Sequence, residues 1–327
     1  MAKSHRPRKG SRAFWPRKRA KRIFPSVKSV PDSRDDNVAP LAFAGYKAGM
    51  TSVSYIDNRK ASANSGKEIV EAVTVLDCQP LSVIGMKLYR QGERGLVSEG
   101  TVWHENLPRD LGRALDVPKK PHMKKELVDK KLDGLSEIRI IVSTQPRGSG
   151  IGKKKPEVFE IPLSGDVEKQ WAYALERLGK EILPADVFAQ GEVVDVKAVS
   201  KGKGFSGVVK RFGVKIRGRK HGGKRRLIGN IGSRTPARVL PGAIAMAGQL
   251  GFQTRTEYNK KILKIGEGGI VPRGGFVNYG RVPKNYMLIQ GSVPGPRKRL
   301  VVLRKAMRWK GSPAPVEIKH VSLEPQQ

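Results

Sequence analysis

The sequence has few of the features that several protein classes require. Cys78 is the single cysteine among 327 residues, which excludes an internal disulfide framework and a cysteine-rich metal cluster and favours a reducing compartment. No run approaches the roughly 18 consecutive apolar residues of a membrane-spanning helix, and the basic N-terminus is not followed by the apolar segment of a signal peptide. We therefore expect a cytoplasmic, unsecreted chain with no membrane partner.

Acidic residues are missing from two long segments. No acid precedes Asp32, and eleven Lys and Arg residues occupy the first 30 positions. The second acid-free segment extends from Val196 to Thr256 and holds fifteen cations, so the two segments supply most of the formal net charge of +35. A polyanion would neutralise this charge and release its condensed counterions. An ordinary solvated basic face is the alternative, but such faces usually mix both signs.

The cations of these segments, with one histidine, are the predicted contacts for RNA phosphates. Prolines block a regular helix in the first segment, and glycines in the second allow the backbone to approach phosphates closely. The predicted RNA-binding residues are Lys3, Arg6, Arg8, Lys9, Arg12, Arg17, Lys18, Arg19, Lys21, Arg22, Lys201, Lys203, Lys210, Arg211, Lys215, Arg217, Arg219, Lys220, His221, Lys224, Arg225, Arg226, Arg234 and Arg238. Close backbone approach is predicted at Gly202, Gly204, Gly207, Gly229 and Gly232.

The rest of the chain has patterns typical of a folded core. Asp166 is a candidate helix cap, apolar residues recur at helical spacing from Trp171 to Ile182, and Pro184 would end that helix. A weaker helix is predicted around Met123–Leu132. Short β-branched runs predict strands at 69–78, 137–142, 192–199, 262–265, 276–282, 286–289, 300–303 and 316–321. Strands on both sides of an α/β insertion would close into one antiparallel barrel, which removes exposed edges.

Patterns that suggest catalysis lack the context they need. Gly202–Gly207 matches the dinucleotide-binding glycine pattern, but the residues after it do not form the pattern of an amphipathic helix, and no acid follows at the ribose position. Gly148–Lys153 is one residue short of a phosphate-binding loop. The five histidines have no metal-ligand spacing. We therefore predict no enzymatic activity, no catalytic residue, no cofactor, no metal and no small-molecule substrate.

Several multi-residue motifs resemble the large-subunit ribosomal protein three family, in its archaeal and eukaryotic form. They occur in order along nearly the whole chain, which makes them more specific together than any one alone. The motifs are Ala2–Arg8 with Gly10–Ser11, Ala44–Thr51, Lys201–Phe205, Ile228–Gly232, Ala247–Gln249, Gly274–Gly280 and Gly291–Pro296.

This resemblance implies a structural constituent of the large ribosomal subunit that binds large-subunit ribosomal RNA (rRNA), contacts neighbouring ribosomal proteins and is not a homo-oligomer. It implies a six-stranded β-barrel of the translation-protein type with an inserted α/β region and long irregular extensions into RNA. The corresponding segments are a basic N-terminal extension at 1–40, the barrel at 41–87 and 187–327, the insertion at 88–186, and a basic finger at 200–256. The finger would approach the peptidyl-transferase centre, and the protein would act early in subunit assembly.

One motif departs from the family. Members commonly carry Trp at the finger tip, where this chain has Arg234 within Gly232–Pro236. Arg234 could stack on a base or hold a phosphate. Family members can also carry a methylated histidine, for which His221 is the candidate in the finger. A nucleic-acid chaperone and an RNA-modifying enzyme are the alternative functions, and the second lacks a visible cofactor loop or acid/base group.

Overall fold

The computed structural model describes residues 10–31, 37–59, 62–117, 134–231, 239, 242, 244–309, 311, 313–314 and 316–325. Within them the chain is mostly β, with fourteen strands and two short α-helices. The helices are α1 (Val167–Arg177) and α2 (Val208–Phe212). The strands are β1 (Ala42–Ile56), β2 (Glu68–Asp77), β3 (Leu81–Gly92), β4 (Gly95–Trp103), β5 (Glu137–Ser143), β6 (Val158–Pro162), β7 (Glu181–Ile182), β8 (Val193–Val199), β9 (Gly202–Ser206), β10 (Gly248–Gly251), β11 (Thr254–Gly266), β12 (Tyr286–Gln290), β13 (Leu300–Lys305) and β14 (Ile318–Val321).

The chain divides into two compact units. The basic unit combines Met1–Arg22 with Val199–Thr254, and the core unit combines Ile23–Ala198 with Arg255–Gln327. Each unit is therefore assembled from segments that are distant in sequence. No helix among the described residues has the length and apolar character needed to cross a membrane.

Six strands of the core unit form a closed ring. The hydrogen-bonded order is β13, β8, β11, β12, β2 and β1, and β1 pairs back to β13. Strand β1 is long enough, at 15 residues, to pair with β2, β13 and β14. Each ring strand contributes a fully buried side chain to one hydrophobic cluster, and each such burial contributes about 2 kcal/mol. These side chains include Phe43, Val75, Val196, Leu263, Met287 and Leu303.

A second sheet lies in the sequence between the ring strands β2 and β8. Its order is β4, β3, β5 and β6, and β7 pairs with β3. Helix α1 packs on β5 through buried Trp171. Gln170 is also buried there; its side chain accepts a hydrogen bond from Ile138 N at 2.9 Å and donates one to Gly165 O at 2.7 Å. These bonds satisfy a polar side chain that would otherwise be costly inside the core.

Helix α1 is shorter than its sequence pattern predicts. It begins after Asp166, as predicted, but the Asp166 side chain makes no capping hydrogen bond. The helix ends at Arg177 because Leu178 is extended and Gly179 adopts a left-handed conformation with φ of 81°. Ile182, which fits the helical spacing, instead lies in β7 and is buried against β3. The extension of this helix to Pro184 was therefore a wrong prediction.

The other secondary-structure predictions have mixed outcomes. Strands are confirmed at β2, β5, β8, β11, β12, β13 and β14. The predicted strand at 276–282 is wrong: Phe276 and Gly280 form an isolated bridge around a tight turn, in which Asn278 has φ of 61°. Strands β1, β3, β4, β6, β7, β9 and β10 were missed. The predicted helix at Met123–Leu132 lies outside the described residues.

A buried ion pair connects β8 and β13 of the ring. Arg304 Nη2 donates to Asp195 Oδ2 at 3.0 Å, with side-chain exposures of 4% and 0%. The same carboxylate accepts hydrogen bonds from Asn259 N and Met307 N, each at 3.2 Å. Arg304 also donates to the carbonyl oxygen of Ser29. One charge pair thus connects two ring strands, β11, the residues after β13 and the segment before β1.

Candidate nucleic-acid interface

The basic unit contains no acidic residue. Its two segments carry ten and thirteen Lys and Arg residues, which account for 23 of the net charge of 35. The first acid-free segment was predicted as an extension separate from the finger, whereas residues 10–22 pack with the second segment. A unit with charge of one sign cannot use ion pairs, so other groups must satisfy its buried arginines.

Aromatic rings and arginines of the two segments form one cluster. Trp15 and Phe212 are stacked, with ring centroids 6.2 Å apart. The Arg17 guanidinium carbon lies 4.3 Å from the Phe212 centroid, and that of Arg211 lies 5.2 Å from it. Arg17 and Arg211 each donate to the other's main-chain carbonyl at 3.4 Å. Cation–π contacts of this kind are favourable where the cation is partly removed from water.

Arg211 also holds the strand β10. Its Nε donates to Gln249 O at 3.0 Å, and its Nη1 donates to Met246 O at 2.7 Å. Burial lowers the pKa of the Arg211 guanidinium below its usual value. Carbonyl oxygens and ring faces therefore take the place that carboxylates hold in ordinary proteins, and much of the donor capacity of Arg211 is used inside the unit.

The glycine-rich segment Gly202–Ser206 is strand β9, and it pairs antiparallel with β10. Gly251 in β10 has φ of 71°, and a Cβ there would overlap the carbonyl oxygen of Lys201. The main chain of Phe252 accepts a hydrogen bond from Ala20 N at 2.8 Å, which attaches the first acid-free segment to the end of this two-stranded sheet. Gly251 serves this close pairing of strands, whereas a Cβ on Gly204 or Gly207 would meet nothing within 4 Å. A paired strand is not the geometry of a dinucleotide-binding loop.

Helix α2 follows β9 directly and corrects one sequence prediction. Residues 208–213 were interpreted as lacking an amphipathic pattern, but Val208 and Phe212 are buried on one side of the helix while Lys210 is exposed. The helix ends at Gly213, which has φ of 64°. The apolar side is only two residues wide, so its period was too short to recognise in sequence.

The cations beyond α2 project from a loop of tight turns. Arg217 N donates to Arg225 O at 3.0 Å, which closes the loop across Arg219–Lys224. Gly222 permits the turn with φ of 55° and ψ of −150°. The side chains from 218 to 226 are exposed. This arrangement presents cations and backbone to the surroundings, and none of the residues 219–224 is buried.

Most of the predicted RNA-binding residues that the structure describes are exposed. The exposed residues are Arg12, Lys18, Arg19, Lys21, Arg22, Lys201, Lys203, Lys210, Lys215, Arg219, Lys220, His221, Lys224, Arg225, Arg226 and the glycines Gly202, Gly204, Gly207 and Gly229. Arg17, Arg211 and Arg217 are partly buried. Lys3, Arg6, Arg8, Lys9, Gly232, Arg234 and Arg238 lie outside the described residues.

Sequence reasoning missed one feature of this surface. Phe205 is 81% exposed on β9, whereas the adjacent Ser206 is 6% exposed. An aromatic residue surrounded by glycines in a basic segment was the available signal.

The other candidate motifs have structural explanations in the core unit. Gly148 lies against the side chain of Gln79, and Lys153 of the loop-like motif forms an ion pair with Glu157. His104 Nδ1 accepts a hydrogen bond from Asn106 N at 3.2 Å. In the part of the chain that the structure describes, no three His, Cys, Asp or Glu side chains are grouped to hold a metal ion.

Comparison with known proteins identifies relatives over nearly the whole chain. A family model described as ribosomal protein L3 matches residues 1–323. Large ribosomal subunit protein uL3 of Pyrobaculum arsenaticum is 48% identical over 316 residues, covering 94% of this chain and 93% of the relative. The uL3 proteins of Methanococcus aeolicus and Archaeoglobus fulgidus are each 46% identical over 311 residues, covering 94% of this chain and 92% and 93% of the relatives. These matches confirm the resemblance seen in the sequence motifs, and the chain belongs to the ribosomal protein L3 family.

Proposed function

We propose that the chain is a structural constituent of the large ribosomal subunit, located in the cytoplasm, and that its basic unit binds large-subunit rRNA. The composition and internal contacts of this basic unit are the observation that supports the proposal. The unit contains 23 cations and no acid, and its folding uses arginine bonds to carbonyls and rings. Most described cations of the unit remain exposed, where phosphates would neutralise them.

The binding mode follows from the shape of this surface. Phosphate contacts from Lys and Arg position a protein on a nucleic acid without reading its sequence, and folded RNA is recognised largely by shape and by its 2′-hydroxyls. The loop of tight turns around Gly222 presents backbone and cations together. Exposed Gly202, Gly204, Gly207 and Gly229 allow close approach of a sugar–phosphate chain. Specificity would then come from three-dimensional fit.

The family resemblance supports a finer assignment of the segments. In this proposal the six-stranded ring is the translation-protein-type barrel of 41–87 and 187–327, and the second sheet with α1 is the α/β insertion of 88–186. Residues 1–40 and 200–256 are the extensions that enter rRNA, the second approaching the peptidyl-transferase centre. Arg234 would contact RNA at the finger tip in place of the family's Trp, and His221 would lie among these contacts.

The charge of the basic unit also indicates a stage of assembly and a set of partners. The protein would act early in subunit assembly, because cations that neutralise phosphates allow RNA helices to approach one another. Its partners would be large-subunit rRNA and neighbouring ribosomal proteins, with no small-molecule substrate and no homo-oligomer.

Sedimentation tests the proposal. Tagged protein from a cell lysate is expected to remain with the large subunit through a high-salt sucrose gradient. A variant with Arg219, Lys220, Lys224 and Arg226 changed to Gln is expected to be lost at lower salt, because fewer phosphate contacts weaken its binding. Its binding should also depend less steeply on salt, by about 0.7–0.9 in the logarithmic slope for each contact removed. Western blotting of the fractions at a series of salt concentrations measures both effects.

A matched variant controls for the loss of positive charge alone. Arg94, Lys154, Lys155 and Lys284 are equally exposed cations of the core unit, and changing these four to Gln is expected to leave more of the protein in the large-subunit fraction than the loop variant does. If the wild-type protein itself washes into the light fractions, the nucleic-acid chaperone becomes the better assignment.

A further inference from the structure

Phe205 presents an aromatic ring to its surroundings at a position where the backbone is held firmly. Its exposure of 81% is the highest of the large apolar side chains in the described part of the chain. It pairs with Gln249 in the two-stranded sheet of β9 and β10. Gln249 is itself fixed, because its carbonyl accepts from Arg211 Nε at 3.0 Å and its side chain donates to Gly251 O at 3.0 Å. The ring therefore stands on a rigid support, which limits the entropy lost when a ligand covers it.

The residues beside Phe205 leave its ring accessible. Gly204 and Gly207 flank it in sequence, and a Cβ built on either glycine would meet nothing within 4 Å. Their missing side chains leave open space along the strand. The fold has buried Ser206 at the next position and left the larger, more hydrophobic Phe205 outside. Exposing a side chain of this size forgoes about 2–3 kcal/mol of burial, which is compatible with a surface that a partner covers.

The positive charge of the residues close to Phe205 in the sequence indicates the kind of partner. Lys201 just before β9, Lys203 on β9 and Lys210 on α2 are exposed, and no acid lies between Val196 and Thr256 in the sequence. A protein interface of ordinary size would need a broader apolar patch than one ring among glycines and lysines. Lysines that hold phosphates beside a ring that stacks on a base are the combination used by proteins that bind single-stranded RNA.

We propose that Phe205 is a stacking platform for an unpaired RNA base, with Lys201 and Lys203 holding the adjacent phosphates. This inference rests on the proposed function and deepens it, because it assigns the ligand of one surface of the basic unit. An A-form duplex keeps its bases stacked and its major groove closed to side chains, so the occupant is a base splayed from a loop, bulge or single strand.

Two RNA probes test this assignment with the full chain. One is a fluorescein-labelled oligouridylate of about twelve nucleotides, and the other is an RNA duplex of about the same length, within the site sizes of single-strand binders. Phe205→Leu, which keeps an apolar side chain without a ring, is expected to weaken oligouridylate binding about 10-fold and to leave duplex binding unchanged. Phe205→Tyr is expected to retain wild-type affinity for both. Fluorescence anisotropy measures the dissociation constants.

The controls separate stacking from charge, from folding and from a protein partner. Lys203→Gln is expected to weaken both RNAs and to flatten the salt slope by about 1. Equal binding of oligouridylate by wild type and Phe205→Leu overturns the stacking assignment while the proposed function stands. Equal weakening of both RNAs with a lower melting temperature also overturns it, since Phe205 would then be structural. Wild-type protein that binds neither RNA overturns the proposed function itself.

Crosslinking in isolated large subunits distinguishes the two classes of partner. Phe205→p-benzoylphenylalanine, irradiated in the particle, is expected to attach to rRNA, and primer extension would locate the crosslinked nucleotide. A crosslink to a neighbouring protein instead would refute the stacking platform and identify a protein contact in its place.

Discussion

Replacing Asp195 with Ala is expected to lower the free energy of unfolding by about 3–5 kcal/mol, which is typical for breaking one half of a buried ion pair. The substitution removes the carboxylate that faces the Arg304 guanidinium at 3.0 Å. It also leaves the amides of Asn259 and Met307 without that acceptor. With its side chain only 4% exposed, Arg304 cannot recover the lost interaction from water. Urea unfolding followed by tryptophan fluorescence measures the change.

Two further variants test whether burial of an unpaired charge is the cause. Asp195→Leu with Arg304→Met removes both charges, and this double variant is expected to be more stable than Asp195→Ala because no ion remains buried alone. Glu176→Ala breaks an exposed pair, in which Glu176 and Lys180 are 67% and 58% exposed and 3.7 Å apart. Exposed pairs contribute less than about 1 kcal/mol. If Asp195→Ala lowers the free energy of unfolding as little as Glu176→Ala does, the buried pair does not stabilise the six-stranded ring.

The strands that sequence analysis found and missed differ in how they are buried. Short β-branched runs such as Val193–Val199 are recognisable from their composition, because their side chains suit a pleated surface. The first part of strand β1, residues 42–50, contains glycine, alanine and lysine and no β-branched residue, so its composition does not mark it as a strand. Gly49 is required there because a Cβ would lie 2.6 Å from the Phe276 ring. A neighbour distant in sequence determines that residue, and local patterns cannot reveal such a constraint.

The errors around α1 and 276–282 have the same origin. The apolar spacing from Trp171 to Ile182 fits a helix, yet Gly179 turns the chain so that Ile182 joins a strand. At 276–282 the hydrophobic residues Phe276, Tyr279 and Val282 are buried, but they belong to a tight turn. These side chains are buried, whereas the backbone conformation that places them there depends on contacts made elsewhere in the fold.

The functional class followed from the sequence more directly than the geometry of the site. Membership in a family of ribosomal proteins confirms the prediction of an archaeal-type ribosomal protein that is not an enzyme. The two acid-free segments were also identified from the distribution of charge along the sequence. The packing of these segments into one unit was not predicted, because it depends on the arrangement of Trp15, Arg17, Arg211 and Phe212. A sequence does not show whether an arginine side chain faces a phosphate or a carbonyl.

Removing the Arg211 guanidinium is expected to lower the local stability of the basic unit. Arg211→Ala deletes the bonds to Gln249 O, Met246 O and Arg17 O, and hydrogen bonds from a charged donor contribute about 1.5–3 kcal/mol each when they are shielded from water. We expect a local loss of about 3 kcal/mol after allowing for partial exposure, which corresponds to roughly 100-fold faster amide exchange in β9 and β10. Hydrogen–deuterium exchange with mass spectrometry measures this rate.

Two further variants separate the hydrogen-bonding geometry of the Arg211 guanidinium from its positive charge. Arg211→Lys keeps the charge, but a single ammonium group cannot reproduce a planar fork that reaches three carbonyls, so its exchange rates should resemble those of Arg211→Ala. Lys210→Ala removes an exposed cation from the same helix and should leave amide exchange unchanged while flattening the salt slope of RNA binding by about 1. Wild-type exchange in Arg211→Lys would mean that charge alone holds the unit. The opposite result would show that an acid-free unit folds by directing some of its arginines inward, which leaves its lysines and its other arginines for RNA.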